Sequence, residues 1–211
     1  MNKIEKLIYE HCPDGVEFKA LGEVTDYVRG LTYNKKDETQ SSDGLKVLRA
    51  NNISLSTNML NFNDVKIVST NVKVRENQKL IKNDILISVA SGSKTHVGKV
   101  AYIEDDLDYY FGGFMAVIRT NLDIYSRFLF HLLIGETFSK YLEKSLSTTT
   151  INNLSASIMK AFQIPIPPLP IQKEIVNILD KFTKLKAELE VELEAELKAR
   201  KNNMSIIVRS F

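Results

Sequence analysis

At Phe162-Gln-Ile-Pro-Ile-Pro-Pro-Leu-Pro170 an apolar run closes on prolines, and neither glycine nor proline follows from Ile171 to Phe211. Proline interrupts regular structure, whereas a long stretch without either residue favours one continuous helix. The junction therefore predicts that a compact domain ends here and a rod begins. We expect a domain over residues 1–169 and a helix over residues 170–211.

The rod carries an apolar seam. Apolar residues recur along it at intervals of four and three and then at fours, which is the spacing of a helix face that packs against another helix. Every even position from Glu188 to Glu196 is glutamate, so the other faces are too charged for a globular core. We expect pairing with a second helix through Ile175, Ile178, Phe182, Leu185, Leu189 and Leu193.

Composition fits one domain with an appendage. The chain has 211 residues and is 44% hydrophobic, which is enough to bury a core. There is no basic and apolar leader at the N-terminus and no apolar run near the roughly 18 residues that a bilayer requires, so we expect no membrane contact and a cytoplasmic location. Cys12 is the single cysteine and the three histidines are far apart, so we expect no disulfide, metal or cofactor.

The remaining patterns predict an α+β fold, with a twisted β-sheet core and a few helices ahead of one long coiled-coil helix. Short apolar or alternating runs separated by turn residues favour strands, and a change to helical period favours helices. Helices are predicted over Asn2–Glu10, Tyr125–Lys144 and Asn152–Lys160, the last capped by Thr148–Thr150 or by Asn152. Strands are predicted over Val47–Ala50, Val65–Val68, Ile85–Ala90, Val97–Ile103 and Phe114–Ile118.

Charge is distributed unevenly although the net charge is only +2. From Lys66 to Lys99 there are seven basic and two acidic residues, and a short acidic run, Glu104 to Asp108, follows. This pattern predicts one positive and one negative face, and a positive face is typical of proteins that bind a phosphate backbone. A solvated lysine-rich surface explains the same pattern equally well.

Four polar loops carry side chains suited to duplex DNA, namely residues 29–36, 49–52, 91–96 and 148–153. Arginine and asparagine can pair in bidentate fashion with guanine and adenine, and hydroxyls beside glycine can approach phosphate closely. Gly30 is expected to make the first loop flexible. Turn formation and helix capping explain any one loop taken alone, but their co-occurrence favours DNA. The candidate DNA-binding residues are Arg29, Thr32, Tyr33, Lys35, Lys36, Arg49, Asn51, Asn52, Ser91, Ser93, Lys94, Thr95, His96, Lys99, Thr148, Thr149 and Asn152.

Enzyme motifs are incomplete. The segment from Gly92 to Lys99 is similar to a phosphate-binding loop, but five residues separate its glycines where four are needed, and Val100 replaces the serine or threonine that would bind magnesium. Pro167-Pro168 follows Ile166 and not the asparagine or aspartate of amino-methyltransferases. We expect no catalytic centre, and a nucleotide-dependent enzyme built on the Gly92 loop stays open as an alternative.

The chain resembles the specificity (S) subunit of type I restriction-modification systems over nearly its whole length, and the proline-rich junction is the most specific part. The resemblance implies a target-recognition domain that reads a DNA half-site and a spacer helix that docks on methyltransferase subunits. Those subunits would methylate adenine, and a separate restriction subunit would translocate and cleave DNA. The similar segments are Cys12–Glu23, Gly92–Lys99, Thr149–Leu154, Ile164–Gln172 and Glu196–Lys201.

Members of this family usually carry two recognition domains and two spacer helices, so this chain resembles one half of such a subunit. We hypothesise that a frameshift or an early stop shortened an ancestral reading frame. Two antiparallel copies would restore the two-fold geometry. The helix from Ile171 to Lys201 would measure about 45 Å, near the length of about 13 base pairs. We expect a homodimer that reads a gapped palindrome. The alternative is a regulatory fragment that competes with a full-length specificity subunit and does not itself bind DNA.

Overall fold

The computed structural model describes residues 3–91, 96–147 and 153–209. The helices are α1 (Lys3–His11), α2 (Leu21–Val24), α3 (Ser126–Ile134), α4 (Glu136–Ser147), α5 (Ala156–Ala161) and α6 (Leu169–Arg209). The strands are β1 (Phe18–Ala20), β2 (Thr25–Arg29), β3 (Leu45–Leu48), β4 (Lys66–Val68), β5 (Ile85–Ser88), β6 (Val100–Tyr102), β7 (Tyr110–Phe111), β8 (Met115–Thr120) and β9 (Gln163–Pro165). Helices and strands thus mix in one domain, as the α+β prediction expects.

The central sheet has the order β2-β8-β5-β6, with antiparallel neighbours. Its two inner strands are apolar at successive positions because both faces of the sheet are covered. Ile85 and Ile87 point into the core beneath the helices, whereas Leu86 points into the core on the opposite face. Successive side chains of a strand alternate between faces, so a continuous apolar run serves both cores at once.

Two smaller sheets complete the domain. Strands β4, β3 and β7 form a three-stranded sheet in that order, with β3 antiparallel to β4 and parallel to β7. Strands β1 and β9 pair antiparallel, with Phe18 opposite Pro165. This last pairing joins β1 to the proline-rich junction through backbone hydrogen bonds, so the segment just before the long helix is held in the domain.

The predicted helix over Tyr125–Lys144 is wrong in one respect, because it is two helices, α3 and α4, separated at Gly135. The N–H of Gly135 donates to the carbonyl of Leu132 and closes the first helix there. The apolar period continues across the break, since Leu133 and Phe138 both lie in the same core. Hydrophobic spacing alone therefore does not reveal the interruption.

The predicted helix over Asn152–Lys160 begins later than expected. Helix α5 starts at Ala156, and its N-cap is Ser155, whose Oγ accepts a hydrogen bond from the N–H of Ile158 at 3.3 Å. The predicted caps Thr148–Thr150 and Asn152 lie outside the described residues. A serine placed directly before the first turn is the stronger capping signal.

The first turns of α6 belong to the domain. Ile171, Gln172 and Val176 are buried. The Gln172 side chain donates from Nε2 to the carbonyls of Asp123 and Pro167 at 3.0 and 2.8 Å, and its Oε1 accepts from the N–H of Tyr125 at 2.7 Å. A buried amide is tolerated when both of its ends are hydrogen-bonded. The glutamine after the prolines therefore locks the root of the helix to the loop ahead of α3.

A charged cluster fixes the next turn of α6. Asp180 Oδ1 lies 2.7 Å from His131 Nε2 and 3.1 Å from Arg127 Nη2. The Arg127 guanidinium also stacks over the ring of Tyr102, with 4.8 Å to the ring centroid. Because α3 supplies both basic groups, this cluster sets the direction in which the helix leaves the domain.

Beyond Asp180 the apolar seam is exposed. Between 49% and 65% of the surface of Phe182, Leu185, Leu189 and Leu193 is accessible. Ile175 behaves differently, because it packs against the core of its own domain. Among the helices in the part of the chain that the structure describes, none has the length and apolar character needed to cross a membrane.

Candidate nucleic-acid interface

Three of the four predicted loops meet at one cleft of about 870 Å³. The loop after β2, the turn after β3 and the segment after β5 are far apart in sequence, and the sheets bring them together. Of the candidate residues, those that line the cleft are Thr32, Tyr33, Lys35, Arg49, Asn51, Ser91 and His96. The other lining residues are Leu31, Glu38, Ala50, Ala90, Gly112, Gly113, Phe114 and Met115.

The first loop is held tightly, which corrects the expectation that Gly30 makes it flexible. The N–H of Gly30 donates to the carbonyl of Met115 at 3.0 Å. A Cβ at Gly30 would lie 2.2 Å from the carbonyl oxygen of Gly112. Glycine is therefore required here because two backbone segments approach closely.

Arg29 braces this loop and is not part of the cleft lining. Its Nε donates to the carbonyl of Gly113 at 2.7 Å, and its own carbonyl accepts from Gln78 Nε2 at 3.0 Å. The side chain therefore joins two loops of the interface. Lys36 is exposed within the turn Lys35–Asp37 and does not line the cleft either.

Arg49 and Asn51 share one carboxylate. Asp64 Oδ2 accepts from Arg49 Nη2 and from Asn51 Nδ2, both at 2.7 Å. Arg49 Nε is buried and has no hydrogen-bond partner among the described residues. Asp64 thus anchors the guanidinium through Nη2, and guanidinium groups are suited to recognition of an anion or a base edge.

Asn52 has a structural role. Only 1% of the residue is exposed, its Oδ1 accepts from the N–H of Arg49 at 2.8 Å, and its Nδ2 donates to the carbonyls of Asn61 and Asp64. The amide is fully used in shaping the turn, so it is not available to a base. Lys99 also points elsewhere, since its Nζ donates to the carbonyl of Ile53 at 3.3 Å and it lines a separate cavity beside α4.

Tyr33 stays a neutral donor at physiological pH. Burial raises the pKa of its phenol, against the lowering influence of the Arg49 guanidinium. A neutral hydroxyl can both donate and accept a hydrogen bond, as can the hydroxyls of Thr32 and Ser91. The cleft thus combines hydroxyls with the cationic groups of Lys35 and Arg49.

Sequence reasoning misses the segment Gly112–Phe114, which belongs to none of the four predicted loops. The structure places it on the floor and rim of the cleft. The N–H of Gly112 donates to the carbonyl of Leu48 at 2.9 Å, and this hydrogen bond holds the segment against the end of β3. A pair of glycines between two phenylalanines is the available signal, because it permits close approach of backbones.

The fourth predicted loop, except for Asn153, and part of the third lie outside the described residues. This concerns Thr148, Thr149 and Asn152, and also Ser93, Lys94 and Thr95. The alternative of a nucleotide site depends on the same Gly92 loop. These assignments remain predictions.

The predicted separation into a positive and a negative face is wrong. The acidic run packs beside the basic stretch, where Lys79 Nζ lies 2.8 Å from Asp108 Oδ1 and the N–H of Lys82 donates to Asp106 Oδ1 at 2.9 Å. Lys66 also pairs with Glu38 at 3.0 Å. Because the segment between β6 and β7 runs beside residues 79–83, charges that are distant in sequence neutralise one another locally.

No group of three or more side chains that could hold a metal ion occurs within residues 3–91, 96–147 and 153–209. The donors that meet in the cleft are hydroxyl, amide, imidazole and cationic groups, with Glu38 as the one carboxylate among its lining residues. Such a donor set suits an anionic polymer more than a cation.

Two curated relatives are specificity subunits. The chain is 34% identical over 170 residues to the type I restriction enzyme EcoKI specificity subunit of Escherichia coli (strain K12), and 31% identical over 184 residues to the StySPI specificity subunit of Salmonella potsdam. These matches cover 80% and 84% of this chain but only 36% and 39% of the relatives. They confirm the expected similarity to specificity subunits.

Solved structures agree in fold. A chain from a structure of the type I R-M system matches with a TM-score of 0.64 and 25% identity, over 86% of this chain and 42% of that one. The HsdS subunit from Thermoanaerobacter tengcongensis matches with a TM-score of 0.61 and 21% identity, over 88% and 44%. The family described as the type I restriction modification DNA specificity domain matches residues 13–199. The chain therefore belongs to the type I restriction-modification specificity family.

Proposed function

We propose that this chain reads a half-site in duplex DNA through the cleft described above. The observation that carries the proposal is the convergence of three loops, which leave two different sheets, on one concave surface with hydroxyl, amide and cationic side chains. Phosphate contacts position a protein on DNA, and fork-shaped side chains read base edges. Lys35 and the hydroxyls are suited to the first task, and Arg49 with Asn51 to the second.

Asp64 supports the reading role of the Arg49 and Asn51 pair. A carboxylate that accepts from both side chains limits their rotamers before DNA arrives, so less entropy is lost on binding. It also removes part of the positive charge, which lowers affinity for arbitrary phosphate. Both effects favour selective over unselective binding.

The first test is binding by fluorescence anisotropy to a duplex selected from a randomised pool by the full chain. Arg49→Ala should weaken binding about tenfold, since a good bidentate contact is worth about 1–3 kcal/mol. Lys140→Ala is the control, because Lys140 is exposed on α4, pairs with Glu136 and does not line the cleft. Equal losses for the two variants, or no selection of any sequence by the wild type, would refute the proposal.

We propose further that α6 pairs through its seam with a second copy of the chain and docks on methyltransferase subunits. Support comes from the exposed run of Phe182, Leu185, Leu189 and Leu193, which follows a root that is already anchored. We keep the division at residues 169 and 170 as part of this proposal, with the first turns of α6 serving as the joint. A restriction subunit would join through that complex, and the location would be cytoplasmic, where DNA and these partners meet.

A regulatory fragment without DNA binding is the competing interpretation. This interpretation also explains the exposed seam of α6, but it gives the cleft no function. Salt dependence separates the two, because each phosphate contact adds about one unit to the slope of log affinity against log salt. A steep slope for the isolated chain would support DNA reading, and absence of binding at low salt would support the fragment.

A further inference from the structure

Phe114 is an exposed aromatic side chain at the mouth of the cleft. Its exposed fraction is 71%. Single exposed apolar residues are common on protein surfaces, so exposure alone assigns no role. The position of Phe114 among polar and cationic lining residues, including Tyr33, Arg49 and His96, is what calls for an explanation.

The backbone that carries this ring is held on several sides. The N–H groups of Val89 and Ala90 both donate to the carbonyl of Phe114, at 2.9 and 3.2 Å. The preceding carbonyl of Gly113 accepts from Arg29 Nε at 2.7 Å. The ring therefore projects from a platform that is fixed by β5 and β2.

The first loop lies directly behind the segment that carries the ring. A Cβ at Gly113 would already lie 3.4 Å from the carbonyl oxygen of Leu31 and from Thr32 Oγ1. The backbone of the first loop thus supports the segment from behind. The position of the Phe114 backbone at the cleft is therefore fixed, although its side chain is exposed.

We propose that Phe114 inserts as a wedge between adjacent base pairs of the bound duplex. This inference rests on the proposed DNA-reading function and deepens it. Cationic lining groups would draw the phosphates toward the cleft and bring the ring against the base stack. Apolar side chains that insert between base pairs partly unstack the step, and the DNA bends around them.

A wedge has a consequence for the partner chemistry. An enzyme that modifies a base must take that base out of the stack, which costs unpairing and unstacking energy. Unstacking by Phe114 at a nearby step would lower that cost before a methyltransferase acts. Recognition and preparation of the substrate would then be properties of the same cleft.

The test uses the duplex selected by the full-length wild-type chain, with 2-aminopurine replacing each adenine in turn. Its fluorescence rises when stacking is lost. The wild type should give a rise at one step, Phe114→Ala should abolish it and weaken binding about tenfold, and Phe114→Leu should restore part of it. Phe18→Ala is the matched control, since Phe18 is 62% exposed on β1 and does not line the cleft.

The outcomes separate this inference from the function on which it rests. If the wild type selects no sequence, the DNA-reading proposal fails first. If it binds a selected duplex with no fluorescence rise at any position, only the wedge is overturned. If Phe114→Ala loses just the discrimination between thymine and uracil, with no change in stacking, the ring reads a methyl group and the wedge is likewise overturned.

Discussion

Gly30 decides the shape of the cleft at the scale of one residue. Gly30→Ala would place a Cβ 2.2 Å from the carbonyl oxygen of Gly112, so one of the two backbone segments must move. We expect a loss of about 1–3 kcal/mol in the free energy of unfolding, as for other overpacked sites, together with weaker DNA binding. Thermal denaturation and anisotropy measure the two effects.

Gly113→Ala is the control for this prediction. Its Cβ would meet its nearest neighbours at 3.4 Å, an ordinary contact distance. We expect the unfolding midpoint of this variant to stay close to that of the wild type. Similar losses for both variants would show that the close approach at Gly30 is not what shapes the cleft.

His131 makes stability depend on pH. Burial lowers the pKa of His131 below its ordinary value of 6.5, although the hydrogen bond to Asp180 opposes the shift. The unfolded chain therefore binds more protons near that pH, so the contribution of this group is complete above 6.5 and is lost as the pH falls. Burial tends to raise the pKa of Asp180, but its hydrogen bonds to Arg127 and His131 lower it overall, so its contribution is also lost on acidification, below 3.8.

His131→Gln removes the titration and keeps a hydrogen-bond donor for Asp180. We expect urea denaturation of the wild type to show declining stability from pH 7 to pH 5.5, and a flatter profile for the variant. An equal decline in both proteins would assign the pH dependence to other groups.

For single residues, the sequence predicts which kinds of side chain are found near the cleft better than it predicts whether each one faces the cleft or stabilises the fold. Arg49 and Asn51 reach the cleft because a strand ends just before them. The side chain of Asn52, the next residue in the chain, points inward and stabilises the turn after β3 through its hydrogen bonds. Which of two neighbouring asparagines faces solvent depends on the path of the turn, and this path is set by Asn61 and Asp64, about ten residues away.

Helix α6 and its seam can be read from the sequence at the scale of an element, because spacing and the absence of glycine and proline are local signals. The apolar core strands β5 and β8 are recovered for the same reason. Strands β1 and β9 are missed, since each is three residues long and exists through its pairing with the other. Local pattern does not record a partner that lies more than a hundred residues away.

The seam predicts a specific effect of charge. Leu185→Glu combined with Leu189→Glu places two carboxylates on the apolar face, and burying them in a helix pair would be costly. We expect the wild type to run as a dimer and the variant as a monomer in light scattering.

Thr183→Glu combined with Ala195→Glu adds the same charge off the seam and serves as the control. Both positions are exposed and neither belongs to the apolar stripe. We expect the control to remain dimeric. A double-leucine variant that stays dimeric would exclude this seam as the contact between copies.

At the scale of the whole described chain, a mixed helix and strand domain has a helix of 41 residues fixed to it. At 1.5 Å per residue this helix is about 60 Å long, and its root is locked by Gln172 and by the Asp180 cluster. Domain and helix are therefore coupled through packing and not through a loose linker. Pairing of two such molecules would hold two clefts at a set distance and rotation.

The start of the long helix follows from sequence because composition changes sharply at the prolines. The distribution of charge on the surface cannot be predicted from sequence in the same way, because the acidic turn near Asp108 packs against the basic stretch that contains Lys79. Net charge in a segment predicts a charged surface only when no opposite segment packs beside it. Which segments pack beside one another depends on the topology of the fold and not on the local sequence.

The most direct test of this account is binding of the full chain to duplexes with two inverted copies of the selected half-site at increasing separation. Two clefts on a stiff strut should give tightest binding at one separation and a sharp loss when about five base pairs, half a helical turn, are added. Affinity that does not change with separation, or that is no better than for a single half-site, would contradict it.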